Sequence, residues 1–138
     1  MRVSQKSEYA LRAMLELALR TDPKQAVRTA EIARRQRIPE KFLELILVEL
    51  RRAGLLISQR GPVGGHRLAR RPEEISIGAI WRAIDGSVTD SSPSKGSDPF
   101  TNIWEMVDKA IADVVDHVTL EDVRKRAEAR RAVQDFSI

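Results

Sequence analysis

Apolar positions near the start of the chain recur at spacings of three and four. Between Ser7 and Arg20, Ala10, Met14, Leu17 and Ala18 share one face, widened by Leu11 and Ala13. This predicts an amphipathic helix that stops before the turn-forming Thr21-Asp22-Pro23. A short helix is predicted from Thr29 to about Gln36, with Thr29 as N-cap and Glu31 in the positive first turn. Arg37-Ile38 then forms a tight connection. Pro39 fits the opening turn of the next helix, which runs to about Ala53 and closes at Gly54. Phe42, Leu43, Ile46, Leu47 and Leu50 fall on its inner face, and Lys41, Glu44, Leu45, Val48, Arg51 and Arg52 project from its other sides.

The periodicity then changes. Leu55–Ser58 and His66–Ala69 read as short strands, and the Arg60-Gly-Pro-Val-Gly-Gly65 tip between them predicts a β-hairpin. Ser76 is placed to cap a helix running through Asp85, with Ile77, Ile80, Trp81 and Ile84 on one face and Gly86 at its end. Residues 86–99 are rich in Ser, Gly, Pro and Asp and predict a loop. A long helix is expected from about Phe100, with Trp104, Val107, Ile111, Val114 and Val118 in heptad-like steps. Thr119 and Asp122 resemble a capping box that opens a last helix, Leu120 to about Val133, before a tail expected to fray.

Two short helices joined by a tight turn, an upstream support helix and a hairpin directly behind them define the expected fold class. It is mainly α, a winged helix-turn-helix with a two-stranded β-wing and a long C-terminal dimerisation helix. The expected division is residues 1–86 as a DNA-binding domain, 87–99 as a flexible loop, and 100–138 as the dimerisation helix and C-terminal helix. The apolar stripe from Trp104 to Val118 is too long for the small body beside it to cover, which favours a homodimer seam over core.

Composition narrows the function. The chain has 138 residues, with 42% hydrophobic and 32% charged, as expected of one soluble domain. No apolar run is long enough to span a bilayer and the charged start does not read as a signal peptide, so the expected location is the cytoplasm, with no membrane partner. There is no cysteine, which removes disulfides, thiol catalysis and thiolate-bound metal or iron–sulfur clusters; no cofactor and no metal site are expected. Residues 1–75 hold 16 Lys and Arg against 9 Asp and Glu, a net +7, while the remainder is net −3. The basic half fits double-stranded DNA as partner.

The hydrogen-bonding and charged residues fall where that partner requires them. An α-helix fits the major groove, so helix 39–53 can place Lys41, Glu44 and Leu45 at base edges; Glu44 is suited to accept from a cytosine amino group, and Leu45 or Val48 to touch a thymine methyl. The alternative for those two apolar residues is ordinary surface scatter, or a protein partner. Arg51 and Arg52, with Arg34, Arg35 and Arg37, are candidates for phosphate contact. Arg60 is the candidate for a narrow A·T-rich minor groove; Gly61, Gly64 and Gly65 let the backbone come close, and His66 follows. No nucleophile triad, metal-ligand cluster or nucleotide loop is present, because RGPVGG lacks the Lys-Ser/Thr of a P-loop, so an enzyme is not expected.

Four stretches, in order, carry a resemblance: MRVSQKSEYALRAMLELAL, EIARRQRIPEKFLELILVELRRAGLL, RGPVGGHRLAR and RPEEISIGAIWRAIDG. Together they resemble the Rrf-type winged-helix transcriptional regulators over about residues 1–86, and more weakly through FTNIWEMVDKAIADVVDHVTLEDV. The resemblance implies a homodimeric DNA-binding regulator; a symmetric dimer places two motifs on the half-sites of a palindrome, so the expected function is a sequence-specific repressor acting on a palindromic operator. It matches Arg60 to the family's wing arginine and Glu44 to its recognition-helix glutamate. Leu45 and His66 depart from it, since relatives often carry a hydrogen-bonding residue and a tyrosine there. Iron–sulfur members carry three cysteines in the segment equivalent to 86–99; this chain has none and is placed in a clusterless branch. Glu8 lies near an acidic ligand of some members but reads as a first-turn carboxylate. The 86–99 loop is left open as either a sensor for an unknown effector or partner protein or a plain connector. Other readings of the whole are a winged helix used for protein–protein contact and a DNA binder of low sequence preference.

Overall fold

The computed structural model describes residues 2–87 and 98–136. Six helices and a two-stranded antiparallel sheet follow the order α1 (Gln5–Ala18), α2 (Thr29–Gln36), α3 (Glu40–Arg52), β1 (Leu56–Gln59), β2 (Gly65–Leu68), α4 (Ile77–Asp85), α5 (Thr101–Val115) and α6 (Leu120–Phe136), with a single 3₁₀ turn at Pro72–Glu74. Helix α1 lies at the centre, touching α2, α3, α4, α6 and β2. Its small Ala10 and Ala13 bring neighbouring backbones close, and Met14 and Leu17 fill the space between. Ile32 and Ile38 from the helix-turn-helix, Leu43, Ile46, Leu47 and Leu50 from α3, and Ile75, Ile80 and Leu120 complete one continuous core.

Local chemistry explains most element ends. Ser4 begins α1, its Oγ accepting from the Ser7 N–H at 3.0 Å. The helix therefore starts two residues before the expected Ser7 and ends at Ala18 rather than Arg20. Arg37 turns the chain between α2 and α3 in a left-handed conformation, φ 55°. Gly54, φ 78°, closes α3 in a Schellman arrangement: its N–H reaches the Arg51 carbonyl and the Leu55 N–H reaches that of Leu50. The strands pair Leu56 with Leu68 and Gln59 with Gly65, one residue displaced from the sequence reading.

Three other expectations are corrected. Thr29 is not the N-cap of α2: the cap is Arg28, with no side-chain cap bond, and the Thr29 hydroxyl is held by His66 instead. Helix α5 ends at Val115, so Val118 is not on the stripe. Val118 sits in the α5–α6 turn, where its carbonyl accepts from the Ile77 N–H at 2.9 Å while the Leu120 N–H donates to Ile75 at 2.8 Å. The capping box at Thr119 and Asp122 is formed in both directions, at 2.9 and 3.1 Å, and α6 continues past Val133 to Phe136. Of the expected 86–99 loop, residues 88–97 lie outside the described residues.

Candidate nucleic-acid interface

Helix α3 has two faces. Leu43, Ile46, Leu47 and Leu50 are buried, which fixes the helix against α1. Lys41, Leu45 and Arg52 are exposed and Val48 is partly so; the spacing of three and four puts them on one outward stripe. Leu45 is 62% exposed, a large apolar side chain held in water by a helix whose other side is in the core. Phe42 is half-buried rather than core, its ring edge-on to Tyr9 at 5.7 Å.

Glu44 and Arg51 flank the stripe on the side of the wing. Glu44 lines a cleft of about 350 Å³ whose far wall is Gln59, Gly61 and Gly65, so the helix and the wing border one concavity. Arg60, Gly61, Pro62 and Val63 are exposed at the tip, with Val63 87% exposed. Arg60, Arg51 and Arg52 form no ion pair among the described residues, nor do Lys41, Arg34 and Arg37. These side chains carry charge into solvent without a partner, the state expected of groups that meet phosphates.

The wing is fixed by contacts with the segment before α2. Val27 and His66 exchange both backbone hydrogen bonds at 2.8 Å, which adds a third edge to the hairpin. The approach requires Gly65: at φ 143°, a Cβ there would lie 2.5 Å from the Val27 carbonyl. Gly64 is buried, and a Cβ there would meet the Gln59 carbonyl. The Arg28 guanidinium donates to the Pro62 carbonyl and ties down the tip.

His66 does not point outward as a free DNA contact. Its Nδ1 lies 2.8 Å from Ser58 Oγ and its Nε2 2.9 Å from Thr29 Oγ1, so both ring nitrogens are engaged inside the protein. Burial, and then the charge of Arg51, lower its pKa from the ordinary histidine value and favour the neutral ring. Arg28 and Ser58 were not singled out in the sequence, and Thr29 was expected only as a helix cap. Their partners lie 34, 37 and 8 residues away, and no local pattern announces such pairs.

The remaining predicted residues lie apart. Trp104, Val107, Ile111 and Val114 follow one face of α5, which has no buried residue; Val114 is 61% exposed. Beside them an apolar groove of about 330 Å³ runs between Leu11, Leu15, Ile77, Val118 and Val123. Val118 therefore joins this hydrophobic region through the groove and not through the α5 stripe.

An exposed recognition helix and a wing bordering one cleft, mounted on a three-helix body, define a winged helix-turn-helix DNA-binding protein. The chain belongs to the Rrf2 family: the family model described as "Iron-dependent Transcriptional regulator" matches residues 3–126. It is 35% identical to the HTH-type transcriptional regulator IscR of Aliivibrio salmonicida over 130 residues, 89% of this chain and 77% of that one. Among solved structures it is similar to CymR, the global cysteine regulator of B. subtilis, with TM-score 0.82 and 31% identity over 91% of this chain and 98% of that one. It is also similar to T. potens IscR, with TM-score 0.80 and 38% identity over 94% and 90% of the two chains. The protein is thus a transcriptional regulator and not an enzyme. No helix among the described residues is long and apolar enough to cross a membrane.

The family description names iron, and the residues of this chain do not fit an iron–sulfur cluster. It has no cysteine to supply thiolates, and among the described residues no three His, Asp or Glu side chains gather as a metal site. Glu8 is an exposed carboxylate in the first turn of α1, where the helix dipole favours it.

Proposed function

We propose that the protein is a sequence-specific repressor that binds a palindromic operator as a homodimer, in the cytoplasm and without an iron–sulfur cluster. The observation that carries this reading is the shared cleft of α3 and the wing, with unpaired cations on both. Helix α3 enters the major groove, where Lys41 and Glu44 meet base edges, and Leu45 and Val48 meet thymine methyls. Arg51 and Arg52 contact phosphates. The wing brings Arg60 to the minor groove, while Gly61, Gly64 and Gly65 shape its backbone and His66 holds it in place.

The dimer reading is supported by α5 and the adjoining groove. Trp104, Val107, Ile111 and Val114 leave a continuous apolar surface that a second copy would cover, and Val118 extends it. Two-fold symmetry then places two recognition helices on two half-sites. Selection of bound duplexes from a random pool, followed by footprinting, tests the whole reading. A palindromic consensus with symmetric protection is expected, and enrichment of no sequence would overturn specificity.

A second reading has one observation in its favour: Leu45 on the exposed stripe suits a protein partner as well as a thymine methyl. Absence of duplex binding at low salt would favour a protein-interaction module. Binding that random DNA competes away equally would favour a low-specificity DNA binder.

A further inference from the structure

A cleft of about 650 Å³ opens between the C-terminal end of α1, residues 21–25, the end of β2 with the 3₁₀ turn, and α6. Its volume is that of a small-molecule site. Leu17, Leu68 and Pro72 give it an apolar wall.

The charges around this cleft are unequally committed. Glu73 and Glu74 are engaged by Arg71, at 3.4 and 2.8 Å. Glu121 and Glu128 are engaged by Arg124, the latter at 2.6 Å. Asp22 accepts from the Lys24 backbone N–H at 2.9 Å. The cations differ. Lys24, Arg67 and Arg70 form no ion pair within 4.0 Å among the described residues, although Arg70 acts on Glu74 through space. Arg67 is partly buried along the cleft. Arg20 holds Glu16 and Glu31 through Nη2, at 3.4 and 3.1 Å, while its Nε is buried without a partner. A ligand entering here meets glutamates that are already held by Arg71 or Arg124, and three cations that form no ion pair among the described residues.

We propose that this cleft binds a small organic anion, a carboxylate or phosphate carried on a compact apolar body, and that the anion is an effector. Lys24, Arg67 and Arg70 supply the charge, and the Leu17–Leu68 wall the apolar contact. The effector half rests on the DNA-binding reading above: β2 is a strand of the wing and α6 follows the dimer helix, so a ligand between them biases their relative placement.

Binding is measured first without DNA, by thermal shift at constant ionic strength. The probes are benzoate and phenyl phosphate, with benzylamine as the cationic control. At ten times its Kd, a bound probe raises Tm by about 4 °C. The anion that gives the larger rise identifies carboxylate or phosphate as the preferred head. Arg67→Gln is expected to weaken binding tenfold or more. Lys24→Gln, at an exposed position, gives the same test should Arg67→Gln fail to fold. Lys109→Gln on α5 leaves binding unchanged. No rise with either anion at millimolar concentration, an equal rise with benzylamine, or unchanged binding in both variants would overturn the site. Operator affinity is then measured with and without the probe. A fivefold or larger change supports the effector role, and binding with no change overturns that half alone. Weakened operator binding in Arg67→Gln without any probe binding assigns the cleft to DNA phosphates and overturns the proposal.

Discussion

Nε2 of His66 lies 2.9 Å from Oγ1 of Thr29, and this single contact ties the second strand of the wing to the first helix of the helix-turn-helix. With Ser58 on the other ring nitrogen, one side chain joins β1, β2 and α2. His66→Ala removes both bonds and leaves two partly buried hydroxyls to find other partners. It is expected to cost about 1–2 kcal/mol of stability, read by urea unfolding. In operator selections, base preference under the wing should weaken more than preference under α3. Equal weakening at all positions would assign His66 to general stability alone.

The same histidine predicts a pH dependence. Its pKa is lowered in the folded state, by burial and then by Arg51, so the unfolded chain takes up the proton first as pH falls. The stabilising contribution is complete above the unfolded value of about 6.5 and is lost as pH drops from there through the lower folded value. Denaturation midpoints at pH 7.5 and 5.5 should differ more in the native protein than in His66→Gln.

Gly65 tests how tightly the wing is docked. Gly65→Ala combines φ 143° with a Cβ 2.5 Å from the Val27 carbonyl. A loss of about 2 kcal/mol or more is expected, with weaker DNA binding. Gly61→Ala shares a positive φ but meets nothing within 4 Å and should cost less, about 1 kcal/mol. Thermal melts of the two variants give the comparison.

For the interface itself, Arg60→Ala and Glu44→Ala should part company. Loss of Arg60 is expected to reduce affinity and preference at A·T-rich flanks, whereas loss of Glu44 relaxes one position in each half-site, by about 1–3 kcal/mol of discrimination. Arg52→Gln should weaken all sequences alike and reduce the salt dependence of binding. Titrations by fluorescence anisotropy at several salt concentrations separate the three.

The dimer seam is tested by Ile111→Glu on α5, a partly buried position among Val107 and Val114. Sedimentation equilibrium should show a shift from dimer to monomer, with operator affinity falling at least tenfold as the second half-site is lost. Unchanged mass would remove α5 as the seam.

Elements specified by short-range chemistry were legible in the sequence. Gly54 ends α3, Ser76 caps α4 with its Oγ 3.0 Å from the Ala79 N–H, and Thr119 and Asp122 open α6. Each signal needs only residues three or four apart. Thr29 carried the same kind of signal and misled, because a histidine 37 residues away takes its hydroxyl. Val118 misled for a related reason: its helical spacing is intact, but the α5–α6 turn is drawn back to Ile75 and Ile77 by backbone bonds. The outward residues of α3 were legible because burial of Leu43, Ile46 and Leu50 leaves them only one direction to face. The clamp that orients the wing was not, since Arg28 and Thr29 meet their partners 34 and 37 residues away, and Ser58 meets His66 only across the finished hairpin.

Ser4 has a further consequence beyond starting α1. Its hydroxyl donates to Asp85 at 2.7 Å, across 81 residues of sequence, and the Trp81 indole N–H holds the same carboxylate at 3.0 Å. The chain from Ser4 to Asp85 thus closes into a ring, fastened where the helix-turn-helix body begins and where it ends. A closed ring carries its own fastening. The two ends of the body are held together by residues of the body itself, while the part after Asp85 is sewn on separately, through the backbone bonds of Ile75 and Ile77 to the α5–α6 turn and through Leu120 in the core.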